Sequence, residues 1–364
     1  MAWRSPHRCM KKKSLWSILF LAIAFFCLLS AILELLARTP WLENASPYRS
    51  VGNVDYQFEI KWFRLQDYVN QHGGMDIIIL GSSLVNTGLD PDIVAQTYFQ
   101  QTGVDARIFN FGVDGMTVAP NALIARLLVE RYHPALLVYV TEMREYIAGL
   151  GTEYETPFLD NPWLQYQMGN FNLPGWLVDH SAALQHYLPF RNWMSPDFSG
   201  TMPIYLRRYQ ITSASGYEPE QAVANNLDYP PSPKNAEDAQ YYKDYGNYKI
   251  APSRLNDLQA ILNLNQEGTA IWVVEMPVDP SFYIFVGGTG VHQQFQQTIA
   301  ALTTTHGGSF LPAEACNDIP IVGRANRWHL NYMGAPIFSK CLGNQLAILA
   351  GQKNSSFIIR NNPK

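Results

Sequence analysis

The sequence predicts an α/β protein: a parallel sheet with helices on both faces, one N-terminal transmembrane helix, and an insertion rich in Tyr, Trp and Pro. Three observations carry this. Short apolar runs alternate with helical patterns both before and after the middle of the chain. Residues 14–37, SLWSILFLAIAFFCLLSAILELLA, hold one charge, Glu34. Between about residues 147 and 248 the alternation stops, and Pro, Gly, Asn, Tyr and Trp accumulate.

Of 364 residues, 47% are hydrophobic, 13% aromatic and 15% charged. The usual charged share is roughly 25%, so this composition excludes bulk disorder. Residues 1–13 contain Arg4, Arg8, Lys11, Lys12 and Lys13 and no acid. The rest of the chain then carries 21 basic against 30 acidic residues, a net charge of −9. A mildly acidic body argues against nucleic acid as a partner, which would require a basic patch.

The segment 14–37 exceeds the roughly 20 apolar residues that span a bilayer. It is longer than a secretory h-region of about 7–15 residues, and no small-residue cleavage site follows. An uncleaved anchor is expected. The positive-inside rule keeps the basic tail, 1–13, cytoplasmic and places the body in the periplasm or outside the cell. Residues 38–73 read as a connector that becomes helical near Phe63–Tyr68.

The α/β domain is expected over residues 74–350, with a short tail at 351–364. Asp76 to Leu80 is an apolar run ending in Gly81, suited to a buried parallel strand. Asp90-Pro91 reads as an N-cap with Pro at the first helical position, opening a helix to about Gln101. Ala106–Asn110 is a second strand and Pro120–Arg131 a helix. Leu136–Val140 is a third strand. After the insertion, read as short helices over one end of the sheet, a helix near Ser253–Leu264 leads to a strand at Ala270–Glu275. A helix near Val291–Thr304, a short strand at Ser309–Leu311 and a helix near Gly334–Ala350 complete the pattern.

Ligands on such sheets bind at the carboxyl ends of the strands, which puts segments 81–86, 110–117 and 141–146 on one rim. Ser83, just past a strand and beside glycine, can present its hydroxyl there as a nucleophile if a base lies within reach. The same residues also make an ordinary turn. The run Asn110-Phe111-Gly112-Val113-Asp114-Gly115 can leave a backbone N–H free to stabilise an oxyanion; otherwise it is a plain β-to-α turn. His329, before the last helix, can serve as general base. Cys9 and Cys27 fall in the tail and anchor, while Cys316 and Cys341 flank His329. In an oxidising compartment the latter two can pair and pin the histidine segment; alternatively they are buried free thiols. No His/Cys cluster suggests a metal.

Together these segments resemble the SGNH/GDSL hydrolase family. Gly81-Ser82-Ser83-Leu84 is similar to its Gly-Asp-Ser-Leu block, with Ser82 at the Asp position. Asn110 to Gly115 is similar to its second block, and Asn326 to His329 to its Asp-x-x-His block. The resemblance implies a flavodoxin-like three-layer sandwich and no cofactor. It implies Ser83 as nucleophile, His329 as base oriented by Asn326, and the backbone N–H groups of Ser83 and Gly115 as the oxyanion hole. Two departures stand out. The family's third block is replaced by Thr141-Glu142-Met143-Arg144-Glu145, so Thr141 or Arg144 is a candidate substitute donor, or Glu142 and Arg144 are simply an ion pair. Asn326 stands where the family has Asp, so Asp114 or Glu142 is a candidate replacement acid.

With its anchor, the chain resembles membrane-bound relatives that handle acyl groups on envelope polymers, as in D-alanyl transfer and alginate acetylation. That likeness implies an O-acyl esterase or acyltransferase acting on a glycan or lipid-linked substrate beside a membrane-embedded acyltransferase. The alternative is a degenerate site on a protein that binds a polymer or scaffolds such a partner. Trp163, Tyr166, Trp176, Tyr187, Trp193, Tyr205 and Tyr209 in the insertion suit either sugar stacking or a small core of the insertion's own.

Overall fold

The computed structural model describes residues 13–45, 48–52, 55–147, 149, 152–193, 202–225, 227, 243, 246 and 248–351. Nearly all of the basic tail, the Pro-rich run at 230–233 and the C-terminal tail beyond 351 lie outside the described residues.

Helix α1 (Lys13–Ala37) contains the apolar span Trp16–Ala37, of mean hydropathy 2.7, exposed along nearly all its length with Ala37 buried at its end. This is one helix long and apolar enough to cross a membrane. A short α2 (Pro40–Ala45) follows, then α3 (Tyr56–His72). Asp55 caps α3 by accepting from the N–H groups of Gln57 and Phe58. The connector expected at 38–73 is therefore largely a seventeen-residue helix, and it belongs to the domain: Phe58, Trp62, Phe63 and Leu65 are buried in the main core. Its length escapes the sequence pattern because Gln57, Glu59 and Lys61 are buried as well, which erases the polar face that marks an amphipathic helix.

Five strands form one parallel sheet: β1 (Ile77–Gly81), β2 (Ile108–Gly112), β3 (Leu136–Thr141), β4 (Ala270–Glu275) and β5 (Ser309–Leu311), in the order β2-β1-β3-β4-β5. Strands β1 to β4 are buried along their whole length, as helices on both faces require. Strand β2 begins two residues later than expected, which draws Asn110 into the sheet. Between the strands run α4 (Ser83–Gly88), α5 (Pro91–Thr102) and α6 (Val118–Tyr132). The chain moves one way from β1 to β2 and back across β1 to β3. Right-handed crossovers therefore put α5 and α6 on opposite faces.

The insertion folds as α7 (Thr152–Leu159), α8 (Pro162–Gln167), α9 (Leu173–His180), α10 (Ala182–Trp193) and α11 (Met202–Ile211). It does not keep a core to itself: Phe158, Trp163 and Leu164 join the main core, and Trp163 meets Trp62 edge-on at 4.9 Å. Helix α12 (Pro252–Asn263) packs with α6, α13 (Ser281–Phe285) packs on α14 (Thr289–Thr305), α14 lies against β5, and α15 (Gly334–Gly351) lies against α5. Cys316 and Cys341 form a disulfide that ties the segment after β5 to α15.

The direction of winding reverses between β1 and β3. A ligand crevice is expected outside the carboxyl ends of those two strands.

Candidate active site

Ser83 is the first residue of α4, immediately beyond β1. Two features hold α4 in place. The Asn110 side chain, inside the sheet, donates to Val85 O and Leu89 O at 2.7 Å each and accepts from Gly112 N at 2.8 Å. Gly112 lets the helix approach, since a Cβ there would run into the backbone of Asn86. Lys61, wholly buried, donates to Asn110 O (3.3 Å) and Gly216 O, so the same asparagine is fixed from behind. Burial pushes the Lys61 ammonium down to about 7.

His329 lies in a turn closed by an antiparallel bridge between Arg324 and Leu330. Asn331 anchors that turn, donating to Ala222 O, Val322 O and Arg324 O at 2.9–3.1 Å. The buried Trp328 packs on Phe282 at 5.7 Å. Nε2 of His329 is 2.8 Å from Ser83 Oγ, and Nδ1 is 3.1 Å from Asn326 Oδ1. The atom of Asn326 facing the ring is its oxygen, because it also accepts the N–H groups of Trp328 (2.9 Å) and His329 (2.8 Å). Nδ1 therefore carries the proton, and Nε2 is left to accept the Ser83 hydroxyl. Burial, and then the charge of Arg144, push the imidazole down to about 4, against weaker opposition from Asp114 and Glu220. The ring is neutral at physiological pH, the state a general base requires.

Ser83 and His329 open into a cavity of about 290 Å³, also lined by Asn86, Asp114, Arg208 and Glu218. Arg208 of α11 pairs with Asp114 (2.6 Å) and Glu218 (3.4 Å). Glu218 further accepts from Asn86 (3.3 Å) and Gln57 (3.1 Å). One wall of the cavity is thus a charged network in which Arg208 and Glu218 of the insertion meet Asp114 and Asn86 of the sheet rim.

The other expected positions divide. Asp114 lines the cavity but is committed to Arg208 rather than to His329. Gly115 sits in the turn Val113–Met116 at φ 74°, a left-handed value that favours glycine. Ser82 is buried. Thr141 is buried with its hydroxyl on Glu145 (2.9 Å), and Glu142 is buried in an ion pair with Arg144 (2.9 Å); neither lines the cavity. Glu142 is therefore not placed as the replacement acid for His329, nor does Thr141 reach the cavity as a donor. Arg144 is half-buried, and its charge is felt at His329. Among the insertion aromatics, Trp163 and Tyr205 are buried, Trp176 and Tyr187 are exposed, and Tyr166 and Tyr209 lie between; none lines the cavity. The side chain of Trp193 lies outside the described residues. Among the described residues no group of His, Cys, Asp and Glu is placed to hold a metal ion.

Arg208, Glu218 and Glu220 carry no sequence motif. They reach the cavity through the fold of the insertion. Asn86 was missed as well, although its place three residues after Ser83, one helical turn along the same face, could have marked it.

No protein-family model and no curated protein matches the sequence. Among solved structures, the chain is similar to a gut microbial diltiazem-metabolizing enzyme at 11% identity and TM-score 0.35, over 77% of this chain and 48% of that one. It is also similar to a protein provisionally assigned as a platelet activating factor from Streptococcus pneumonia, at 12% identity and TM-score 0.35, over 80% of this chain and 94% of that one. The description of the site therefore rests on its own geometry.

Proposed function

We propose that the chain is an extracytoplasmic serine O-acyl esterase or acyltransferase of SGNH type, acting on a cell-envelope or exported glycan. The observation that carries this reading is the relay Ser83 Oγ, His329 Nε2, His329 Nδ1, Asn326 Oδ1, with contacts of 2.8 and 3.1 Å. His329 Nε2 takes the Ser83 proton as Oγ bonds to the acyl carbon. The backbone N–H groups of Ser83 and Gly115 receive the carbonyl oxygen as it gains negative charge. The ester C–O bond then breaks, the leaving alcohol takes the proton from His329, and an acyl-serine remains. Water or an acceptor hydroxyl repeats the sequence in reverse, with His329 again removing the proton. Asn326 holds the tautomer throughout but brings no charge to the imidazolium, so the distant carboxylates Asp114 and Glu220 are its support.

The polar cavity wall supports an acceptor rich in hydroxyls. The apolar helix α1 supports a membrane position, and a membrane-embedded acyltransferase would be a fitting neighbour there. One observation favours a second reading, a polymer-binding or scaffolding protein with a decayed site: among the described residues, no carboxylate is hydrogen-bonded to His329. A fluorophosphonate probe separates the two. The wild-type chain is expected to label covalently, and Ser83→Ala is expected to lose all labelling with an unchanged melting curve. A folded wild type that does not label would move the assignment to the binding protein.

A further inference from the structure

The end of α1 is tied into the insertion. Glu34, in the last turns of α1, accepts from Ser181 Oγ (2.8 Å) and from the N–H groups of Ala182 (2.9 Å) and Ala183 (3.2 Å). Its carboxylate thus caps the N-terminus of α10, where negative charge is favoured. Arg38, paired with Glu34 at 2.7 Å, donates to His180 O, the last residue of α9, at 3.3 Å. The point at which the apolar span ends and the junction of α9 with α10 therefore lie side by side.

At that level the insertion presents an apolar surface to its surroundings. Phe171 is 74% exposed, and on α9 Leu173, Trp176 and Leu177 are 58%, 38% and 40% exposed. Trp41, just past the span, is 73% exposed. Residues 161–190 contain one acidic residue, Asp179, and no Lys or Arg. That aspartate is held by Trp163 Nε1 (3.0 Å) and Gln167 Nε2 (2.8 Å). A run of thirty residues with one engaged charge, an exposed face of Phe, Leu and Trp, and direct continuity with a membrane-spanning segment fits the boundary between headgroups and acyl chains. Amphipathic helices and Trp side chains partition there.

We propose that α9 is a second membrane contact, lying in the bilayer surface with Phe171, Leu173, Trp176 and Leu177 in the lipid. This rests on the reading of α1 as an anchor. A single helix lets a domain swing about its exit point. A second contact fixes the domain's orientation, and with it the height and direction of the Ser83 cavity above the lipid. The partner is the lipid surface itself, and the fixed orientation suits a substrate delivered along that surface.

The test uses the full chain in phosphatidylcholine vesicles and a thiol-reactive bimane label, without reductant. Cys27 of α1, labelled in Cys9→Ser, reports on the anchor. Leu177→Cys, made with Cys9→Ser and Cys27→Ser, reports on α9. Phe99→Cys in the same background reports on α5, where Phe99 is exposed on the body. Nitroxide lipids carrying the spin near the headgroup or deep in the acyl chain serve as quenchers, and iodide probes exposure to water. The expected result is loss of Cys27 fluorescence with the deep quencher, loss of Leu177→Cys fluorescence with the shallow quencher, and iodide access at Phe99→Cys alone. Cys27 quenched but Leu177→Cys open to iodide would overturn the second contact and leave the anchor standing. Leu177→Cys closed to iodide yet unquenched by lipid would overturn it too, in favour of a protein partner or second copy. An unquenched Cys27 would overturn the anchor reading itself.

Discussion

Two neighbouring strands of one sheet end in opposite ways. Strand β1 ends in Ser83, whose hydroxyl faces a cavity and a histidine. Strand β3 ends in Thr141, Glu142 and Glu145, all buried, with Tyr139 and Thr141 donating to Glu145 at 2.6 and 2.9 Å. In both places burial works against charge. It pushes His329 down to about 4 and Glu145 up to about 8. On the open rim this yields a neutral base beside a hydroxyl. On the closed rim it yields a neutral acid inside a polar cluster that does not line the Ser83 cavity. A buried, shifted group is thus a candidate for chemistry only when it faces space a substrate can enter. The difference lies in how the strands end: β1 runs straight into a helix with its serine at the first position, whereas β3 runs into a 3₁₀ turn that folds its own side chains back.

The comparison breaks most directly by removing one polar group from each rim. His329→Ala is expected to slow fluorophosphonate labelling by about 10²–10⁴-fold, the usual worth of a positioned general base. Thr141→Val, on the closed rim, is expected to leave the labelling rate close to wild type. Similar losses in the two variants would mean that the β3 end supplies an oxyanion donor after all, as the family resemblance leaves open.

A smaller effect sharpens the open rim. Asn326→Asp keeps the acceptor for the N–H groups of Trp328 and His329 and adds a charge next to Nδ1. In the serine-protease template the reverse change costs about 10⁴ in turnover, so a gain on the order of tenfold or more is expected. The pH profile gives an independent reading. Wild-type labelling should hold from neutral pH into mild acid and fall with a midpoint near about 4, because only neutral Nε2 accepts the serine proton. In Asn326→Asp the carboxylate favours the imidazolium, so the midpoint should rise. The same lowered value makes the native state bind fewer protons than the unfolded chain between about 4 and the usual histidine range near 6.5, so acid also costs stability there. Melting curves at each pH separate the two effects.

How much of this was legible in the sequence follows from how local each signal is. The ends of β1 and β2, and the Asn326–His329 turn, are short stretches in which residue type and spacing are informative, so Ser83 and His329 could be picked out as a candidate nucleophile and base, while the orienting role of Asn326 came only from the family resemblance. The five-strand parallel sheet followed from apolar runs bounded by Gly and Pro. The far wall of the cavity could not be read. Arg208, Glu218 and Glu220 come from an insertion without periodicity, more than a hundred residues from Ser83, and nothing local distinguishes them from surface charges. Helix α3 was truncated for the opposite reason: Lys61 and Glu59 are buried where hydropathy places them outside. Glu142 and Glu145 looked like rim carboxylates because a sequence shows that a strand ends, but not which way its last side chains turn.

The smallest expected effect concerns the closed rim alone. Glu145 is raised to about 8 by burial first and by the charge of Glu142 second. Between its ordinary value near 4.5 and about 8, the native state holds a proton that the unfolded chain has released. Stability therefore falls as pH rises through that window. Glu145→Gln keeps the carbonyl that accepts from Tyr139 and Thr141 and removes the titration. It should melt close to wild type in mild acid and increasingly above it toward pH 8, a gap on the order of 1–3 kcal/mol at most, given 1.4 kcal/mol per pKa unit and partial relaxation of so buried a site. Labelling of Ser83 should be unchanged at every pH, because this cluster does not open into the cavity. A Glu145→Gln protein with wild-type pH dependence of melting would show that Glu145 is ionised in the native state. The two rims would then differ in shape but not in how burial treats charge.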